Sequence, residues 1–142
     1  MPSLDTLIPR FKAADRTTRL ETLLDYSRKL PPLPERYQEQ MARGEHRVHE
    51  CQTPVAIFPE AQDGKLWFHA DVPRESAAIR ALLAMLFEAL NGQPPETTIA
   101  IPPDFVREVM GKIGLQAREA GLSAMVERLR RAARDAARNG GA

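Results

Sequence analysis

Apolar residues recur at helical spacing most clearly between positions 79 and 90. Ile79, Leu82, Leu83, Leu86, Phe87 and Leu90 fall on one face, and Asn91-Gly92 followed by Pro94-Pro95 ends the run. The spacing predicts a long core-facing helix there. A second such pattern, Leu122, Met125, Val126, Leu129 and Ala133, predicts a C-terminal helix starting near Gly121. Between them, Pro102-Pro103-Asp104 opens a shorter helix with Phe105, Val106, Val109 and Met110 on its apolar side and Gly111 and Gly114 at its end. Upstream, Asp15 caps a helix whose apolar face is read as Leu20, Leu23 and Leu24, leaving Arg16, Arg19, Glu21 and Arg28 in solvent. Ser3 and Asp5 are placed to open a short first helix, against which Pro9 works.

The period changes in the middle of the chain. Val55-Ala56-Ile57-Phe58 suits a buried strand, Gln62-Asp63-Gly64 is a turn signal, and Lys65 to Ala70 reads as the returning strand of a hairpin. Residues 35–46 are polar, with Tyr37 and Met41 as apolar anchors, and read as a short helix or an ordered loop. Pro31-Pro32-Leu33-Pro34 is a stiff connector before them. Helices around one hairpin predict an α+β fold, a small antiparallel β-sheet covered by the helix near 76–90 and by the C-terminal helix. The chain divides into an N-terminal segment (1–14), a single domain (15–138) and a frayed tail (139–142).

Composition narrows the function classes. The 142 residues are 43% hydrophobic and 27% charged, enough to build one core. A formal net charge of +1 predicts no bulk attraction to nucleic acid or to a membrane surface. No export signal opens the chain and no apolar stretch approaches a membrane span. With one cysteine, this predicts a reducing, cytoplasmic setting. Arg128, Arg130, Arg131, Arg134 and Arg138 form a basic face on the last helix. It reads as solvated surface, since no interleaved aromatics support nucleic-acid binding. Trp67 and Phe68 read as packing in or beside the core rather than binding a ligand, and no Gly-rich phosphate loop or dinucleotide fingerprint is present.

The chemistry therefore centres on Cys51, in Arg47-Val48-His49-Glu50-Cys51-Gln52-Thr53-Pro54-Val55. A lone thiol makes neither an internal disulfide nor a four-cysteine metal site. Thiolate is the reactive form, and Arg43, His46, Arg47 and His49 would favour it while Glu45 and Glu50 oppose it. Free cysteine is commonly a buried, inert core residue. The polar flanks here favour an accessible or loop-borne thiol instead. His46, His49 and Cys51 also permit a metal reading, with an Asp, a Glu or His69 as fourth ligand, and a Cys–His catalytic pair stays open.

Five segments together resemble the SufE-like family. They are Arg28-Lys29-Leu30-Pro31-Pro32-Leu33-Pro34-Glu35; the Cys51 loop from Val48 to Val55; Leu66-Trp67-Phe68-His69-Ala70-Asp71; Leu90-Asn91-Gly92-Gln93-Pro94-Pro95-Glu96; and Arg118-Glu119-Ala120-Gly121-Leu122 with Met125. They occur in the family's order over about residues 15–133. Departures include Glu50 where the family has glycine, Thr53 for serine, and Ala56 where tryptophan is common.

The resemblance implies a fold like that of SufE and IscU-type proteins and a role as sulfur acceptor. Cys51 would take persulfide sulfur from a pyridoxal-phosphate-dependent cysteine desulfurase (SufS-like), stimulate it, and pass sulfur to iron–sulfur scaffold proteins (SufBCD-like). His49, Gln52 and Arg118 would support the loop or the thiolate. The chain would carry no cofactor or metal of its own; pyridoxal phosphate would belong to the partner. The alternatives are an interaction module that leaves Cys51 unused and a small metal-binding protein.

Overall fold

A computed structural model describes residues 3–111 and 119–140. In chain order the elements are α1 (Leu4–Ala13), α2 (Arg16–Ser27), a 3-10 turn (Glu35–Tyr37) leading into α3 (Gln38–Ala42), β1 (Ala56–Gln62), β2 (Lys65–Asp71), α4 (Ala77–Leu90), α5 (Pro95–Ile99), α6 (Phe105–Met110) and α7 (Glu119–Gly140). The architecture is α+β, as the hydrophobic pattern predicts.

The hairpin forms because its turn has the right chemistry. Gln62 pairs with Lys65, so Asp63-Gly64 is a two-residue loop. Both residues have positive φ, 54° and 75°, as a turn that matches strand twist requires. Strand alternation then sorts the side chains. Ile57, Leu66, Phe68 and Ala70 enter the main core, where α4 packs on β2 and α7 on β1. Ala56 and Phe58 face the other way and are covered by Leu33, Tyr37 and Met41 from the connector and α3.

Both outer edges of the hairpin are paired by segments that are not strands. Beyond β2, Leu66 N–H donates to Gln93 O at 2.9 Å and Gly92 N–H to Leu66 O at 3.0 Å. The Asn91 amide serves the next residue in both directions, accepting from Phe68 N–H (2.8 Å) and donating to Phe68 O (3.1 Å). Beyond β1, residues 46–48 run antiparallel to residues 55–57.

α4 and α7 turn the expected faces inward. Ile79, Leu82, Leu83, Leu86, Phe87 and Leu90 are buried, as are Leu122, Met125, Val126, Leu129 and Ala133. Arg80, on α4, donates to the carbonyls of Ser27 (3.1 Å) and Val72 (2.9 Å), tying the end of α2 to the exit from β2. The apolar face of α6 is buried as expected. Pro9 sits inside a ten-residue α1, whose Leu4, Leu7 and Phe11 are buried and which packs on α6.

One expectation needs correction. Asp15 does cap α2, accepting from Thr18 N–H at 2.8 Å, but the helix is rotated from the predicted face. Leu20 and Leu24 are 43% and 48% exposed, whereas Arg19 is only 3% exposed. The physical reason is that the Arg19 guanidinium fills its donors with carbonyls of Ala14 (3.3 Å), Glu108 (3.2 Å) and Gly111 (3.3 Å). A buried charge is tolerable when its donors are satisfied in this way. α7 runs through Asn139 and Gly140; the remaining residues of the segment read as a tail, 141–142, lie outside the described residues. Pro95–Ile99 forms a short helix that no periodicity announced; Pro95 at its first position suits a helix start. The expected stop at Gly114 lies outside the described residues.

Candidate functional site

Cys51 is held at the tip of a loop that grows out of the sheet. Val48 N–H donates to Val55 O at 2.8 Å, and Ile57 N–H to His46 O at 3.0 Å. These bonds pin residues 46–48 along β1 and leave residues 49–54 to project as a closed excursion. Within it Cys51 N–H turns back to Val48 O at 3.3 Å. His46, at the root, has φ +60°, and its ring packs 4.7 Å from that of Phe58. From across the molecule, Arg128 of α7 donates to Arg47 O at 3.0 Å.

The thiol points inward. Cys51 is 9% exposed and belongs to the main core, while His49, Glu50 and Gln52 are exposed beside it. Polar flanks pointed to an accessible thiol, and that part of the expectation is corrected. The turn sends the flanks to solvent and the sulfur to the interior, so both patterns coexist in one loop.

A cavity of about 410 Å³ adjoins the thiol, lined by Glu50, Cys51, Gln52 and Thr53 from the loop, Ile79 from α4, and Ala120, Gly121 and Leu122 from α7. Ile79 and Leu122 are buried and make this wall aliphatic. Gly121 lies beside the sulfur: a Cβ built there would lie 3.9 Å from Cys51 Sγ. Among the described residues, Glu50 is the one member of the lining that is an Asp, Glu, Lys, Arg or His.

Two of the cations that precede Cys51 in sequence are engaged elsewhere. Arg43 pairs with Glu45 (2.7 Å) and Glu39 (3.1 Å), and His46 faces Phe58. His69, considered as a fourth metal ligand, lies on the sheet face covered by Tyr37, with its Nε2 3.8 Å from Glu60 Oε1. Among the described residues no three His, Cys, Asp or Glu side chains converge as a metal site would require. Gln52 and His49 flank the thiol on the solvent side; Arg118 lies outside the described residues.

Ile79, Gly121, Leu122 and Arg128 were missed as site residues by sequence reasoning. Three were absorbed into helix patterns, and Arg128 into a basic face. That face is only partly a solvated surface. Arg130 donates to the carbonyls of Ile101 (2.7 Å) and Pro102 (3.0 Å), and Arg134 pairs with Glu127 at 2.9 Å. No helix among the described residues is long and apolar enough to cross a membrane.

Comparison with known proteins bears on this arrangement as a whole. The family described as "SufE: Fe-S metabolism associated domain" matches residues 5–133. An uncharacterized SufE-like protein of Mycobacterium tuberculosis is 30% identical over 139 residues, covering 94% of this chain and 92% of its own. One from Synechocystis is 30% identical over 106 residues, covering 74% of this chain and 63% of its own. The solution structure of a hypothetical protein from Thermus thermophilus superposes with a TM-score of 0.78 at 32% identity, over 94% of each chain.

Proposed function

Because the chain belongs to the SufE family, whose domain is associated with Fe–S metabolism, we propose that it is a sulfur acceptor and carrier that works through Cys51. The observation that carries this reading is the combination at one point of the family's loop, the chain's single cysteine, and a cavity beside its sulfur.

The partner is a cysteine desulfurase bearing a persulfide on its own cysteine, with pyridoxal phosphate as that enzyme's cofactor and none needed here. The Cys51 thiolate attacks the terminal sulfur of the partner's persulfide. A bond forms between Cys51 Sγ and that sulfur, the partner's S–S bond breaks, and the partner's thiolate leaves. Charge and electrons balance without an external oxidant or reductant. A second exchange of the same kind hands the sulfur to iron–sulfur assembly.

Two features of the site support such a relay. The loop holds a thiol that must emerge to react, and its anchors at Val55 and Arg128 are single hydrogen bonds that can break and re-form. His49, Glu50 and Gln52 already face solvent and would meet the partner first. Arg118 is retained as an orienting or thiolate-stabilising residue on the strength of the family resemblance. A cluster scaffold would need several thiolates, and this chain has one cysteine.

Incubation with a desulfurase and cysteine should place sulfur on Cys51, seen as a one-sulfur adduct by mass spectrometry. Cys51→Ser should abolish the adduct and the stimulation of the desulfurase. Absence of the adduct, together with full stimulation by Cys51→Ser, would sink the proposal. That second outcome is what an interaction module predicts, a reading favoured by the burial of Cys51 in the core.

A further inference from the structure

Gly121 occupies a place where neither the backbone nor the resting thiol asks for glycine. It lies in the helix α7, and the positive-φ glycines are Gly44, Gly64 and Gly92. Within a helix, glycine is the poorest choice after proline. A turn or a strained conformation therefore does not account for it.

Crowding in the thiol form does not account for it either. Among the described residues, the one atom that a Cβ at Gly121 would meet within 4 Å is Cys51 Sγ, at 3.9 Å. That is ordinary van der Waals contact, so the structure has room for alanine beside a thiol.

The situation changes when Cys51 carries a second sulfur. An S–S bond of about 2.05 Å directed toward Gly121 would put the terminal sulfur as close as about 1.9 Å to that Cβ position. Non-bonded atoms of this size come to rest at roughly 3.5–4.0 Å. The missing side chain thus leaves a space beside the sulfur that an added sulfur directed toward Gly121 would enter. Ile79 and Leu122 make one adjoining wall aliphatic.

We propose that Gly121 is the positioning residue that keeps open the space for the terminal sulfur of a Cys51 persulfide. This rests on the sulfur-carrier reading above and assigns a task within it to a residue that takes no part in the exchange itself.

The test compares the full chain with Gly121→Ala and Gly121→Val. Each is loaded by two routes, a cysteine desulfurase with cysteine and inorganic polysulfide alone. The lifetime of the Cys51 adduct in a dilute thiol reductant is followed by mass spectrometry. Thermal melting and the alkylation rate of the unloaded thiol serve as controls.

Gly121→Ala should melt no lower than the parent and alkylate at the parent's rate, yet lose its adduct at least about five-fold faster, the low end of what overpacking a closed site produces. Gly121→Val should lose it faster still. Equal adduct lifetimes in all three proteins would overturn the role of Gly121. If the desulfurase fails to load the parent while polysulfide succeeds, the carrier reading falls, and the polysulfide-loaded lifetimes still decide the question of space. Failure of both routes to place sulfur on the parent's Cys51 overturns the inference as well.

Discussion

Among the described residues, one buried side-chain nitrogen or oxygen lacks a hydrogen-bond partner: Nε2 of His69. The Glu60 carboxylate is 3.8 Å away, close enough for an ion pair with a charged imidazole. Its Oε1 is already engaged by Arg36 at 2.6 Å and by the Tyr37 hydroxyl. Burial pushes the His69 pKa below the ordinary 6.5, and the pull of Glu60 in the other direction does not offset it. His69 is therefore neutral in the fold and more basic in the unfolded chain. As pH falls below 6.5 the unfolded state takes up the proton first, so stability declines until the folded pKa is passed. Glu60 acts in a lower window. Hydrogen bonds from Tyr37 and then Arg36 hold its pKa below 4.5, and its contribution is lost as pH falls further. Urea unfolding at a series of pH values should show the first decline in the parent, and His69→Gln should flatten it while leaving the more acidic one. A parent curve that is level from pH 7 down to the carboxylate range would contradict the neutral assignment.

At the scale of elements, the hairpin depends on a residue outside it. Asn91 ends α4 and lends its amide to both backbone groups of Phe68. Asn91→Ala leaves those groups without a partner and should lower stability by about 1–3 kcal/mol, measured by chemical denaturation. The same change to an exposed asparagine such as Asn139 should have little effect. This role illustrates what a sequence conveys and what it does not. Asn91-Gly92 was legible as a helix stop because stopping is a local property; its service to β2 was not, because that needs Phe68 to arrive from another element. Asp63-Gly64 and the faces of α4, α6 and α7 were legible for the same local reason. Arg19 was misplaced because its solution lies in carbonyls at Glu108 and Gly111, far along the chain. Cys51 was legible as loop-borne from its polar flanks, but its inward turn was not, because the cavity it faces is completed by Ile79 and Leu122 from separate helices.

On the scale of the whole molecule, α7 is both a core helix and a tether. Its buried face fills the interior under β1, and Arg128 reaches out to hold Arg47 O at the root of the Cys51 loop. Arg128→Ala removes that tether at a half-exposed position. Alkylation of Cys51 by a small reagent should accelerate by roughly two- to ten-fold, the factor that one net hydrogen bond commands, with little change in melting temperature. An unchanged rate would show that the loop opens without breaking this contact. The two paired edges of the hairpin have a further result. A sheet of two strands ordinarily offers two rows of unsatisfied backbone groups on which another chain can template. Here residues 46–48 occupy one row and residues 91–93 the other. Two residues beyond Ile57, whose N–H faces outward, stands Pro59, with no N–H to offer. The length of open edge on each side of the hairpin is thereby shortened, which works against edge-to-edge pairing with another chain.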